Sequence, residues 1–192
     1  MKAVGIVGKI SIGVLFMIGL PSGTVKIVPY TEEWKRLFED ERKLLWSVIG
    51  NYMIDIQHVG STSIPGLASK PVIDIAVFVT SLKVGEKCIT PLEEVGYEFR
   101  QDGGIAGRYF FAKGSRENRT HYLHVEEMNG EFWENHILFR DYLRKHKEDV
   151  IEYAELKLEL ALKYENDRDS YSSGKDDFIK KILKKAKNEK RF

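Results

Sequence analysis

Gly60 and Ser61 follow the apolar segment Ile54 to Val59 directly, and Asp74 is the one charged residue in the apolar run Val72 to Val79. A glycine at the end of a strand lets backbone N–H groups approach an anion closely, and the adjacent serine adds a hydroxyl donor. A turn over Thr62 to Leu67 would aim further N–H groups at the same anion. Lys70 supplies a point charge. An ionised carboxylate among apolar neighbours is costly unless a cation compensates it, and a divalent metal carrying phosphate oxygens is such a cation. The chemistry these residues suggest is phosphate handling, with Gly60, Ser61, Thr62 and Lys70 on the anion and Asp74 on a metal. A core ion pair between Asp74 and Lys70 or an arginine is the plainer alternative.

A second group lies on the segment Thr120 to Glu126, where alternation puts Tyr122, His124 and Glu126 on one face and His121, Leu123 and Val125 on the other. His124 and Glu126 are the candidates for a general base, and Glu126 for a further metal ligand. Arg119, at the entry of that strand, suits a bidentate grip on phosphate, or a surface ion pair. Tyr171 and Lys175 are four apart and share a helix face, from which both would reach a pocket. His58, alone on its strand, reads as structural.

Regular elements must carry these groups. Thr31 followed by two glutamates, then Trp34, Leu37, Phe38, Leu45, Val48 and Ile49, predicts a helix over 32–49. Strands are predicted over 54–59 and 72–79, then a helix over 85–95 that Pro91 kinks or starts late. Strands at 97–101, 108–113 and 120–126 follow, separated by glycine-rich turns. Three helices, 131–146, 148–164 and 167 to about 187, complete the chain. The fold class expected is α+β: a mixed, twisted sheet flanked by helices, with a C-terminal antiparallel helical bundle.

The 192 residues are 43% hydrophobic and 31% charged, with a net charge of +1, which fits one globular domain. The balanced charge argues against a nucleic-acid binder that relies on a broad basic field. The single cysteine, Cys88, excludes an internal disulfide and points to a reducing cytoplasm. Residues 1–24 read as an apolar extension, arising from a misplaced start with Met17 as one alternative, or as a signal-like segment too short to span a bilayer. The domain itself is expected over 25–188, with a basic tail at 189–192.

The run His58-Val-Gly-Ser-Thr-Ser-Ile-Pro-Gly-Leu-Ala-Ser-Lys-Pro-Val-Ile-Asp-Ile75 closely resembles the signature of the GrpB-like proteins, a branch of the DNA polymerase β-type nucleotidyltransferase superfamily. Arg119-Thr-His-Tyr-Leu-His-Val125, Leu138-Phe-Arg-Asp-Tyr-Leu143, Tyr153-Ala-Glu-Leu-Lys157 and the spacing of Asp167-Arg168, Tyr171, Lys175 and Phe178 look like the same family, so the resemblance covers about Val25 to Lys185. It implies a nucleotidyltransferase-like fold. It also implies transfer of a nucleoside monophosphate from a nucleoside triphosphate, with Mg2+ or Mn2+, to a small-molecule acceptor. The superfamily pattern has paired carboxylates at alternate positions of one strand, whereas Ala76 stands where the partner of Asp74 would be. That departure supports the second reading, a non-catalytic nucleotide or metabolite binder that keeps the phosphate turn.

Overall fold

The computed structural model describes residues 18–128 and 130–190. Helix α1 (Glu33–Ile49) starts where Thr31 Oγ1 accepts from the Glu33 N–H at 3.2 Å. It buries Trp34, Phe38, Glu41, Leu45 and Ile49, three or four residues apart, so one stripe faces inward. Five strands follow: β1 (Asp55–Val59), β2 (Ile73–Val79), β3 (Tyr97–Phe99), β4 (Arg108–Lys113) and β5 (His121–Glu127). They form one sheet in the order β1-β2-β5-β4-β3, with β2 and β5 parallel and every other pair antiparallel. The expected α+β class and mixed sheet are what the chain adopts.

Strand alternation divides the chemistry from the core. Ile73, Ile75, Val77, Val79, Leu123 and Val125 face α1 and α3 (Ile89–Glu94) in the main core. The opposite face carries Asp74, Ala76, Phe78, Tyr122, His124 and Glu126. It is covered by α4 (Glu131–Lys145), α5 (Lys147–Lys163), α6 (Arg168–Ser173) and α7 (Asp176–Glu189). Ile64 and Leu67, in the loop after the Gly60 turn, pack with Leu143, Tyr153, Phe178 and Ile182, which ties that loop to the helices.

Two helices differ from their predicted extents. Over 82–95 the chain forms the short α2 (Leu82–Gly85), capped where Ser81 Oγ accepts from the Val84 N–H, then a single tight turn, then α3. Pro91 sits in the first turn of α3, where an N–H has no intrahelical partner to lose. The long helix predicted from Asp167 breaks at Gly174 into α6 and α7, and Tyr171 and Lys175, one on each side of the break, both line one cavity.

The described part of the N-terminal extension is bonded to the domain: Leu20 bridges to Arg119, and the Gly19 and Ser22 N–H groups donate to Pro71 O and Arg116 O, each at 2.7 Å. Of the extension 1–24, read as a misplaced start or a signal-like segment, residues 1–17 lie outside the described residues. No helix among those described is long and apolar enough to cross a membrane.

Candidate functional site

Gly60 adopts φ 67° and ψ −172°, a conformation open almost only to glycine. It leads from β1 into the tight turn Ser61–Ser63, whose shape is fixed by the Ser63 hydroxyl donating to Gly60 O at 2.6 Å. Arg144 adds a clamp by donating from Nε and Nη2 to Ser63 O at 3.0 and 2.8 Å. Behind the turn, His58 Nε2 is 3.0 Å from Thr62 Oγ1 and its ring stacks on Phe38. Burial, reinforced by Arg144 and Arg140 against the pull of Asp74, lowers His58 to about 3. His58 is therefore a neutral structural ring.

Asp74 lies across from Val59 in the ladder, so its carboxylate stands against the Gly60 backbone. Its side chain is one-third exposed, opening into a cavity of about 380 Å³, a volume suited to a small-molecule ligand. Burial opposes the charge, but the His124 ring and the positive fields of Lys70 and Arg168 outweigh it and hold the carboxyl below its ordinary value. Gly60, Ser61, Thr62, Lys70, Asp74, His124, Tyr171 and Lys175 all line this cavity. Thr62 does so with its hydroxyl already engaged by His58.

The cavity is rich in cations. Tyr171 is buried beside two of them, with Lys70 Nζ 5.3 Å and Lys175 Nζ 4.5 Å from its ring centroid. Burial and the repulsion of Arg168 and Lys175 bring Lys70 down to about 7. Lys175, lowered chiefly by burial and only partly supported by Asp74, sits at about 8. Arg168 donates from Nη1 to the Tyr122 hydroxyl at 3.0 Å. Lys157 is 1% exposed and donates to Ala68 O at 2.5 Å and Ser69 Oγ at 3.1 Å, which fixes the segment leading to Lys70. Among the residues with a chemical role, Arg168, Lys157 and His136 were not singled out as site residues from the sequence. Arg168 and Lys157 stood within family-like motifs, whereas nothing in its local pattern separated His136 from the rest of its helix.

Three expectations need correction. Arg119 is 3% exposed, donates to Gly114 O at 2.7 Å and pairs with Glu98; it is not on the cavity wall, so it is an edge tie and no phosphate grip. Glu126 is on the expected face, but its side chain is 1% exposed and does not reach the cavity wall. The parallel register sets Asp74 beside Tyr122, so Glu126 lies four residues further on, about 13 Å along the strand. Glu126 therefore cannot share an ion with Asp74, and no group of three or more His, Cys, Asp and Glu side chains able to hold a metal is found among the described residues.

His124 is the third. Arg108 Nη1 lies 2.8 Å from its Nδ1. A guanidinium only donates, so Nδ1 is the acceptor and the neutral ring carries its proton on Nε2. That nitrogen is 4.0 Å from Asp74 Oδ1, an electrostatic contact longer than a hydrogen bond. Burial first, then the nearby His136 and Arg108, lower the His124 pKa against the support of Asp74. A ring whose free lone pair is taken and whose other nitrogen is protonated donates, and does not serve as a general base.

The donor set bears on the metal that the sequence resemblance implies. Among the described residues Asp74 is the one carboxylate on the cavity wall, Ala76 offers no ligand, and Ala76 pairs with His124, whose ring is held by a cation. These residues fit one hard ion that arrives with phosphate oxygens, and they do not fit a two-ion cluster.

The family model described as GrpB protein matches residues 24–185. The glutamate-rich protein GrpB of Alkalihalophilus pseudofirmus is 46% identical over 171 residues, which cover 87% of this chain and 98% of that protein. The UPF0157 protein YqkA of Bacillus subtilis is 40% identical over 171 residues, 89% of this chain but 50% of its own length. The crystal structure of the conserved protein GrpB from Enterococcus faecalis superposes with a TM-score of 0.79 at 33% identity, covering 87% of this chain and all of that one.

Proposed function

The chain belongs to the GrpB family, and from that premise we propose that it is a metal-dependent nucleotidyltransferase of the cytoplasm. It would transfer a nucleoside monophosphate from a nucleoside triphosphate to a hydroxyl or phosphate of a small molecule and release pyrophosphate. One observation carries the reading: the Gly60–Ser61 turn closes directly on the Asp74 carboxylate inside a cavity that also holds Lys70, Arg168 and Lys175. An anion-accepting backbone, a hard-ion ligand and a ring of cations in one enclosed volume are what a polyphosphate chain requires.

In this reading Ser61 and the Gly60 backbone hold the terminal phosphates, and Lys70 and Lys175, both against Tyr171, neutralise them. Asp74 would hold Mg2+ or Mn2+ brought by the nucleotide, and that ion would supply charge stabilisation at the phosphates. The Nε2–H of His124 donates toward the same space, while Arg108 keeps it in that tautomer. Tyr122 and Arg168 form the wall above Asp74. Incubation with each nucleoside triphosphate and a metabolite pool should give pyrophosphate release that Asp74→Ala abolishes. Equal release by that variant would remove the assignment.

Ala76 favours a second reading, a nucleotide or metabolite binder without turnover. Calorimetry separates the two: a pure binder takes up nucleotide with little dependence on added Mg2+ and releases nothing.

A further inference from the structure

The cavity needs a proton acceptor for an attacking hydroxyl, and neither residue first suited to that task can serve. His124 presents a protonated nitrogen and Glu126 does not reach the wall. A third group does. His136, on α4, lines the cavity with a side chain 29% exposed, and its Nδ1 lies 3.3 Å from Glu126 Oε2. Its ring centroid is 5.4 Å from that of His124.

We infer that His136, held by Glu126, is the proton acceptor of this site. The inference rests on the nucleotidyltransferase reading for the identity of the nucleophile, and on geometry alone for the identity of the acceptor. With Nδ1 turned to a carboxylate, the ring proton belongs on Nδ1 and the Nε2 lone pair is left for the cavity. Both Glu126 oxygens and His136 Nδ1 are buried without a hydrogen-bond partner among the described residues, although Nδ1 and Oε2 approach to 3.3 Å. A buried carboxylate left in that state is costly, and a positive charge on the facing ring removes much of the cost. Taking up a proton at Nε2 turns the loose contact into a charge-assisted pair. Glu126 is thus a positioning residue, and its depth is what suits it to that role.

The step balances. The acceptor hydroxyl loses its proton to His136 Nε2, and its oxygen forms a bond to the α-phosphorus. The bond from that phosphorus to the bridging oxygen breaks, and pyrophosphate leaves with the electron pair. His136 then releases its proton to water.

The charged groups around His136 are Glu126 and His124 from β5 and Arg108 from β4, with Arg168 and Lys175 on the cavity wall. The α7 residues at the same wall, Ile179 and Leu183, are apolar. Side-chain nitrogen NMR of the full-length protein reads the tautomer without any substrate. We expect His136 protonated on Nδ1, with the Nε2–H tautomer gaining in Glu126→Leu. A ring protonated on Nε2, or a tautomer ratio unmoved in a folded Glu126→Leu, overturns the proposal. If Glu126→Leu does not fold, the wild-type tautomer alone decides. Where the wild type turns over nucleotide, His136→Gln should lose about 100-fold or more in kcat with nucleotide affinity nearly unchanged. Full turnover in that variant overturns the base assignment and leaves the nucleotidyltransferase reading standing; absence of wild-type turnover fails that reading and leaves the tautomer result intact.

Discussion

A Cβ added to Gly60 would lie 2.6 Å from Asp74 Oδ2 and 2.9 Å from Asp74 Cβ, so the turn and the acid are fitted to each other with no room for a side chain between them. Gly60→Ala meets two penalties, the clash and a backbone conformation that costs about 1–3 kcal/mol for other residues. The variant should melt several degrees lower and lose at least about tenfold in nucleotide affinity, the latter from displacement of Asp74. Calorimetry and thermal denaturation measure both. Unchanged affinity would separate the turn from the binding site.

Asp74→Asn removes a charge that three cationic neighbours face. Its expected signature is asymmetric. Pyrophosphate release should fall about 100-fold or more, as for loss of a group that stabilises the transition state. Affinity for inorganic tripolyphosphate without metal should hold or rise, because the variant no longer repels the anion.

Lys70 and Lys175 give the site a pH dependence of definite sign. Their folded values, about 7 and about 8, are depressed from the ordinary 10.5. Between those values and the ordinary lysine value the unfolded chain holds more protons than the folded one, so the contribution of these two residues to stability rises with pH. A bound polyanion favours the protonated forms and reverses the bias. Affinity for tripolyphosphate should therefore fall as pH is raised from about 6 to about 9, with proton uptake on binding near neutral pH and above. Calorimetry in buffers of different ionisation enthalpy reads that uptake. Lys70→Met should weaken binding and flatten the dependence; a profile identical to wild type would place the anion elsewhere.

Arg119 is the control. It bonds Gly114 O and Glu98, with its side chain almost fully enclosed. Arg119→Met should cost about 1–3 kcal/mol of stability by chemical denaturation. Nucleotide affinity should stay within about twofold.

The parts of the site that depend on local chemistry were legible in the sequence. Gly60-Ser61 after a strand and a lone aspartate in an apolar run each carry their own physical reason. Alternation placed Tyr122, His124 and Glu126 on one face correctly. The parts that depend on register were not. Glu126 reads like a partner for Asp74 until the parallel pairing of β2 with β5 sets it four residues beyond. Arg119 reads like a ligand because Glu98, distant in sequence, is its partner only in space. His136 shares the cavity-facing stripe of α4 with Phe132 and Phe139, a spacing that any packed helix shows. The break at Gly174 was equally hidden, since the periodicity of the helix runs on through it.

The parallel pairing of β2 with β5 also bears on how the protein comes into being. Parallel neighbours cannot be joined by a tight hairpin, and here α2, α3, β3 and β4 all intervene in the chain between Asp74 and Tyr122. The roof comes later still, since Lys175 and α7 follow β5 in the chain. A chain emerging from the ribosome has no complete place to seat a nucleotide until α7 has been made, so ligand capture reports that sheet and roof have been assembled.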